Sequence, residues 1–229
     1  MLPPVVVNTP AKEKPKAVLL PQASRCATHA VNYLIRRGIE PELIYYCIST
    51  GRLYESYPHH NVVFVGLDKY NKPRYANLRG IGSDFKGEAN GSDKRFSFSI
   101  PAKDSDTVHL FESAIDLLSY ATIRKQEGMA WNGDHLVSLA GVYAPREKIE
   151  ESKVPAAVEG FLKSHPDIKR IVLHFDNDEV GRKATQALQI ILSDRYEVID
   201  SPPKFGKDFN DFLCMKLGIY KSKQRSFER

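Results

Sequence analysis

The chain of 229 residues is 42% hydrophobic, and its 33 lysines and arginines against 28 acids give a net charge of +5 at pH 7. It contains no run of 18 apolar residues and no signal-peptide pattern, which excludes a secreted or membrane-spanning class and predicts a cytoplasmic protein without a membrane partner. Its three scattered cysteines exclude a disulfide framework and a Cys-x-x-Cys metal site, so no zinc is expected in this chain.

Residues 17–103 are predicted to form a small α+β lobe with an antiparallel sheet. The preceding residues 1–16 are rich in proline and lysine and indicate a linker, so we expect the chain to be part of a longer protein. Residues 27–37 have the apolar spacing of an amphipathic helix that Gly38 ends, and residues 42–48 predict a second short helix. Strands are predicted for three segments, at residues 52–55, 61–67 and 74–80.

Two basic residues stand next to aromatic residues near the end of this lobe. Lys94 and Arg95 stand beside Phe96 and Phe98, a combination that suits a single-stranded nucleic acid whose bases stack on aromatic rings. The alternative is an ordinary strand with both phenylalanines in the core and both charges in solvent.

The second predicted lobe, residues 104–220, alternates strands with helices, which is typical of a mostly parallel sheet with helices on both faces. An apolar strand at 108–111 is followed by Glu112 and by a helix pattern at 113–123. Asp116 lies one helical turn after Glu112, so both side chains can face the end of the strand. Glu112 is therefore a candidate metal ligand, and the alternative is a first-turn acid that stabilises the helix dipole.

Asp176 and Asp178 repeat this arrangement after the apolar strand at 171–173 and before a helix pattern at 182–192. Residues two apart on an extended backbone point the same way, so the two carboxylates can meet one cation. Oxygen ligands of this kind suit Mg²⁺ or Mn²⁺. The alternative is that one aspartate caps the following helix.

The third junction, residues 206–213, again follows a predicted strand, at 196–199, and carries Lys207, Asp208 and Asp211. By itself it could be a helix start with Asp208 as the cap. Three such junctions in one parallel sheet are expected to converge, because the carboxyl ends of parallel strands lie at the same edge.

Taken in order, Glu112, the Asp176-x-Asp178 pair and the Gly-Lys-Asp-x-Asn-Asp block resemble the Toprim domain. That domain is shared by DnaG-type primases, topoisomerases, some nucleases and recombination proteins. The resemblance covers residues 105–218. The step from Glu112 to Asp116 and the last block are similar to the primase branch.

The resemblance implies metal-dependent phosphoryl transfer with Mg²⁺ or Mn²⁺. Primases often have an acid at the position of Asn210, and here Asp211, the next residue, is the candidate substitute. The implied catalytic residues are Glu112, Asp176, Asp178 and Asp208. The implied metal ligands are the same four residues and Asp211. The implied contacts of nucleic acid or nucleotide are Arg79, Lys94, Arg95, Lys207 and Asp116.

The first lobe also resembles the amino-terminal subdomain of the DnaG-type catalytic core, because residues 33–38 match its Tyr-Leu-x-x-Arg-Gly helix end. Its layout is similar to the uncharacterised domain that precedes Toprim in many proteins of bacterial plasmids and conjugative elements. The resemblance therefore implies a bacterial plasmid or mobile element as the setting.

We expect a DNA primase-type nucleotidyltransferase that makes short primers for DNA replication. Its expected partners are a single-stranded DNA template and nucleoside triphosphates, with a replicative helicase or other replication protein of the element as a further partner. A Toprim nuclease and a nucleic-acid-binding module without turnover remain alternatives. His59 and His60 are expected to be solvated, and His174 is expected to pack in the core. Residues 221–229 are predicted to be a basic tail.

Overall fold

The structure, a computed structural model, describes residues 17–141, 145 and 152–219. The predicted linker at 1–16 and the predicted tail at 221–229 lie outside the described residues. Across the described part of the chain, the helices are too short or too polar to cross a lipid bilayer.

Two helices and an antiparallel sheet form the first lobe. Helix α1 (Thr28–Arg36) and helix α2 (Pro41–Ser49) are joined by a tight turn at Gly38, whose φ of +81° favours glycine. The four strands pair in the order β1-β2-β3-β4, each antiparallel to its neighbour. They are β1 (Leu53–Glu55), β2 (Val62–Leu67), β3 (Pro73–Arg79) and β4 (Lys86–Glu88).

The alternative prediction for the segment around Lys94 is right in its exposed Lys94 and Arg95 and its buried Phe98, but the predicted strand is wrong. The segment Lys94–Phe96 forms a 3₁₀ turn, because the Asp93 side chain accepts a hydrogen bond from the Arg95 amide and so starts a turn. The Phe96 ring lies under the guanidinium of Arg74, with 4.6 Å from the ring centroid to the guanidinium carbon. Phe98 is buried, and Phe96 is half-buried against Arg74, so both rings already have partners within the protein.

The second sheet has five strands in the order β5-β7-β6-β8-β9. All neighbouring pairs are parallel except β5 with β7, which confirms the predicted mostly parallel α/β lobe. The strands are β5 (Ser99–Ile100), β6 (Thr107–Phe111), β7 (His135–Ser138), β8 (Arg170–His174) and β9 (Glu197–Asp200). The helices are α3 (Ala114–Gln126), α4 (Ala156–Ser164), α5 (Glu179–Leu192) and α6 (Phe209–Lys216).

Side chains of the central strand β6 alternate between two cores, as a sheet covered on both faces requires. Val108 and Leu110 pack with α4 and α5, whereas Phe111 packs with α3 and α6. His174 on β8 is buried, as predicted. Burial lowers the pKa of its ring to about 3.

The two lobes share one core. Leu43 and Ile44 of α2 belong to the same buried cluster as Leu117 and Leu118 of α3. Strand Ser99–Ile100, which the boundary proposed at residue 103 assigns to the first lobe, pairs within the second sheet. The first lobe is therefore fixed against the edge of the second sheet where the acidic junctions lie.

Candidate catalytic site

The three acidic junctions meet at one edge of the second sheet. Glu112 follows β6, Asp176 follows β8, and Lys207 with Asp208 lies between β9 and α6. These four residues line one cavity of about 360 Å³. The cavity also has walls from the first lobe, so the site lies between the two sheets.

Glu112 is a strongly perturbed acid of the cavity wall. Its Oε1 accepts a hydrogen bond from the Asp176 amide at 3.2 Å. Burial raises the pKa of the Glu112 carboxyl to about 7, and the negative charges of Asp176 and Asp178 add to this effect. Glu112 is thus held beside two other carboxylates in a site poor in solvent.

Lys207 bridges the two aspartates of the second junction. Its Nζ lies 3.4 Å from Asp176 Oδ2 and 3.0 Å from Asp178 Oδ2. Burial and the charge of Asp208 raise the pKa of Asp176, although Lys207 opposes the shift. The hydrogen bond that the Lys207 ammonium donates to Asp178 raises the pKa of Lys207, so the ammonium stays charged.

Asp178 caps α5, as the alternative predicted, and it also faces Lys207; its role as a metal ligand stays a prediction. Its Oδ1 accepts a hydrogen bond from the Gly181 amide at 2.9 Å and so caps α5, while its Oδ2 faces Lys207. Gly181 is required here because a β-carbon at this position would lie 2.3 Å from the Asp176 carbonyl oxygen. The tight start of α5 therefore sets the two aspartates side by side.

Asp116 lies behind these residues and is buried. It accepts hydrogen bonds from the Ser113 hydroxyl and from the Asn210 amide. Burial and the charge of Asp208 raise its pKa. Asp116, predicted as a nucleotide contact, lines the cavity on its acidic side rather than on the basic wall, and its contact with a nucleotide stays a prediction.

The last junction places its two acids differently. Asp208 caps α6 by accepting a hydrogen bond from the Asp211 amide at 2.7 Å, and it lines the cavity. Asp211 Oδ2 accepts from the Lys207 amide at 3.3 Å, so this predicted ligand holds the backbone of the lysine.

Asn210 joins the two lobes. Its side chain is 2% exposed and accepts a hydrogen bond from Arg37 Nη1 at 2.8 Å. Its Nδ2 donates to the Arg37 carbonyl at 2.9 Å and to Ser119 Oγ at 3.1 Å. The amide group that stands where primases often have an acid is therefore a structural contact between α6, α3 and the end of α1.

The basic wall of the cavity comes from the first lobe and contains Arg37, Arg79 and Lys86. Arg79 Nε donates to Tyr33 Oη at 3.4 Å, and the Arg37 guanidinium lies over the same ring. Arg37 was missed as a site residue, although the helix-end motif at residues 33–38 contains it.

The structure does not bring the other two predicted basic residues to this wall. Lys94 pairs with Glu88 at 2.9 Å and donates to the Ala140 carbonyl. Arg95 pairs with Asp93 and packs against Gly160 of α4. Their contacts with nucleic acid remain predictions.

Two further residues that sequence reasoning missed hold the loops of the site. Arg182 donates to the carbonyl oxygens of Phe175 and Asp176 and pairs with Asp200 at 2.8 Å. The Asn177 side chain donates to the carbonyls of residues 203 and 206, in the loop before Lys207. Neither residue belongs to a sequence pattern that marks such a role, so Arg182 and Asn177 can be recognised only from their contacts in the folded protein.

The raised pKa of Glu112 predicts how stability depends on pH without divalent ions. A carboxyl whose pKa is raised in the folded state stabilises the fold at low pH, and this contribution is lost as the pH rises through about 7. In EDTA, we expect Glu112→Gln to be more stable than the parent at pH 8 and equal to it near pH 4.5. Thermal unfolding by circular dichroism measures this difference. The control is Glu159→Gln, because Glu159 is exposed. This variant should show the same change in stability between pH 4.5 and pH 8 as the parent.

Comparison with known proteins gives two family matches. Residues 32–105 match the family described as "Protein of unknown function (DUF3991)", and residues 109–213 match the family described as "Toprim-like". A 65 kDa protein of Zymomonas mobilis subsp. mobilis is 30% identical over 174 residues, which are 71% of this chain. This chain covers 28% of the length of that relative.

Solved structures share the fold. The primase fragment of the bacteriophage T7 primase-helicase protein aligns with a TM-score of 0.58 at 16% identity, covering 93% of this chain and 79% of that one. The E. coli primase catalytic core aligns with a TM-score of 0.51 at 16% identity, covering 84% of this chain and 70% of that one. Both lobes therefore have the arrangement found in primase catalytic cores.

Proposed function

Because the chain joins a DUF3991 domain to a Toprim-like domain in the fold of a primase catalytic core, we propose that it is a metal-dependent nucleotidyltransferase of the DNA primase type. It would synthesise short primers on single-stranded DNA from nucleoside triphosphates, for a bacterial plasmid or mobile element. The observation that carries the proposal is the cavity in which clustered carboxylates face a basic wall. A replicative helicase of the same element is a proposed partner.

The acids of the cavity fit a divalent cation. Glu112 and Asp176 both have raised pKa values, in part because each faces other carboxylates, and a cation would relieve that repulsion. Lys207 supplies one positive charge to this group. The donors are carboxylate oxygens, which suit Mg²⁺ or Mn²⁺. Glu112, Asp176, Asp178 and Asp208 would hold the ions, which would supply charge neutralisation at the triphosphate and a lower pKa at the attacking hydroxyl.

The chain's own residues would bind and orient the substrates. Arg37 and Arg79 present guanidinium groups that match phosphate oxygens, and their contacts with Tyr33 hold both side chains on the cavity wall. The Lys207 side chain is 56% exposed, so its ammonium can contact a phosphate that enters beside Asp176.

The test is incubation of the protein with unprimed single-stranded DNA, labelled nucleotides and Mg²⁺ or Mn²⁺. New short products on a denaturing gel, dependent on the ion, would support the proposal. Shortened template would favour a nuclease that uses the same carboxylates with water as the nucleophile. DNA binding with neither change would favour a binding module without turnover.

The basic wall leads to a separate prediction for DNA binding. Arg79→Ala should weaken the affinity for single-stranded DNA roughly tenfold and reduce the slope of log K against log salt by about 1, because one phosphate contact is lost. The matched control is Arg36→Ala. Arg36 is an exposed arginine at the end of α1 and does not line the cavity, whereas its neighbour Arg37 does. Fluorescence anisotropy at several salt concentrations measures both quantities. Equal slopes for the two variants would contradict the assignment.

A further inference from the structure

Three side chains with metal-binding groups converge at the amino-terminal end of α1, and Arg37 follows the other end of the same helix. His29 Nδ1 lies 2.9 Å from Glu55 Oε1, and His60 Nδ1 lies 2.5 Å from the same oxygen. The three ligand atoms all lie within 4.8 Å of one another. Two imidazoles and one carboxylate from separate elements are thus directed at one point.

The carboxylate of Glu55 is held in a fixed orientation. Its side chain is fully buried, and its Oε2 accepts hydrogen bonds from the amides of His29 and Ala30 at 2.8 and 3.0 Å. These two amides begin α1, so Oε2 satisfies groups that lack a partner within the helix. Oε1 is left to face the two histidine rings.

We propose that His29, Glu55 and His60 form a binding site for a borderline divalent ion such as Zn²⁺. Imidazole nitrogens with a carboxylate oxygen are a common ligand set for zinc, and they do not suit Mg²⁺. The two amides on Oε2 are the kind of contact that orients a ligating carboxylate. The His29 and His60 side chains are 60% and 42% exposed, which gives the ion a path from solvent and room for water as a further ligand.

Ion binding would replace hydrogen bonds that the rings now make. With zinc–nitrogen bonds of about 2.0–2.1 Å, tetrahedral ligands stand about 3.3 Å apart, so each ring must move outward by several tenths of an ångström. In the ion-free form a neutral ring must carry its proton on Nδ1 to donate to Oε1. For an ion to bind Nδ1, the ring must lose the Nδ1 proton to solvent and take up a proton on Nε2, so the neutral ring changes tautomer. The tautomer of each ring therefore distinguishes a ring whose Nδ1 donates to Glu55 from a ring whose Nδ1 binds the ion.

The site would fasten α1 to the first sheet. His29 lies in the first turn of α1, Glu55 ends β1, and His60 lies in the connection to β2. The chain just beyond the other end of the same helix carries Arg37 to the cavity. A bound ion would therefore hold the helix that positions part of the basic wall. It would also revise two expectations from sequence, the absence of zinc and the solvation of His60.

The test is a Zn²⁺ titration of the full chain by isothermal calorimetry, in excess Mg²⁺ to compete at the acidic cavity. We expect one zinc ion per chain, with affinity reduced at least about tenfold in His29→Gln and in His60→Gln. The matched control is His59→Gln, because His59 is the exposed neighbour of His60, and Cys26→Ser removes the exposed thiol. Both controls should bind as the parent does.

Long-range ¹H–¹⁵N NMR of the histidine rings gives an independent readout. The signals of His29 and His60 are assigned by their absence from the spectra of His29→Gln and His60→Gln. Both rings should change from the Nδ1–H to the Nε2–H tautomer when one equivalent of zinc is added. Circular dichroism checks that each variant folds. Unchanged tautomers at saturation, equal affinities of the parent and both His→Gln variants, or loss of binding in His59→Gln or Cys26→Ser would overturn the proposal.

Discussion

Asp176→Asn is expected to lower primer synthesis at least about 100-fold while leaving the fold intact. Asp176 lines the cavity between Glu112 and Lys207, and burial together with the charges of Asp208 and Asp178 raises the pKa of its carboxyl. Asparagine keeps the shape of the side chain and removes the charge, so the loss would reflect weaker binding of the divalent ion rather than altered packing. Primer synthesis at saturating nucleotide over a range of Mg²⁺ concentrations measures the effect.

The matched control is Glu179→Gln. Glu179 is three residues further along, is exposed, and pairs with Lys183 one turn later on α5. Its removal should leave synthesis within about twofold of the parent, since an exposed pair of this kind contributes little. Equal activity of Asp176→Asn and Glu179→Gln would contradict the assignment of the acidic cavity as the reaction centre.

The convergence of the acids could be predicted from sequence because it depends on local signals. Glu112, Asp176 and Lys207 each follow a strand, and the ends of parallel strands lie at one edge regardless of the details of packing. The 3₁₀ turn at Lys94 could not be separated from a strand, because the deciding contact is the capping side chain of Asp93.

The roles of polar residues at the lobe junction were harder to predict. Asn210 has the same sequence setting whether it faces a metal or another helix, and only its contacts with Arg37 and Ser119 separate the two. Likewise, Glu55 and His60 lie in a strand and a loop with no spacing typical of a metal site. Their approach to His29 depends on how α1 packs on the first sheet.

The buried amide of Asn210 predicts a large effect on stability. Asn210→Ala removes three side-chain hydrogen bonds, two of them between the lobes, and leaves the Arg37 carbonyl and the Ser119 hydroxyl with one partner fewer. Such a change should lower the free energy of unfolding by about 2–4 kcal/mol, which corresponds to roughly 5–15 °C in Tm for a protein of this size. Asn132→Ala is the matched control, because Asn132 is exposed, and it should change Tm by less than about 2 °C.

Asn210→Asp separates a structural amide from a missing metal ligand. A carboxylate at this position cannot donate to the Arg37 carbonyl, and it adds a charge beside buried Asp116. We therefore expect a lower Tm and no gain in Mg²⁺ affinity, measured by calorimetry on the same preparation. The prediction would be contradicted if Asn210→Asp kept the parent Tm and bound Mg²⁺ about tenfold more tightly. Position 210 would then face the ions, and its contact with Arg37 would contribute little to stability. The hydrogen bonds from α6 to both Arg37 and Ser119 favour the first outcome, because they leave the amide no orientation that serves the cavity without breaking them.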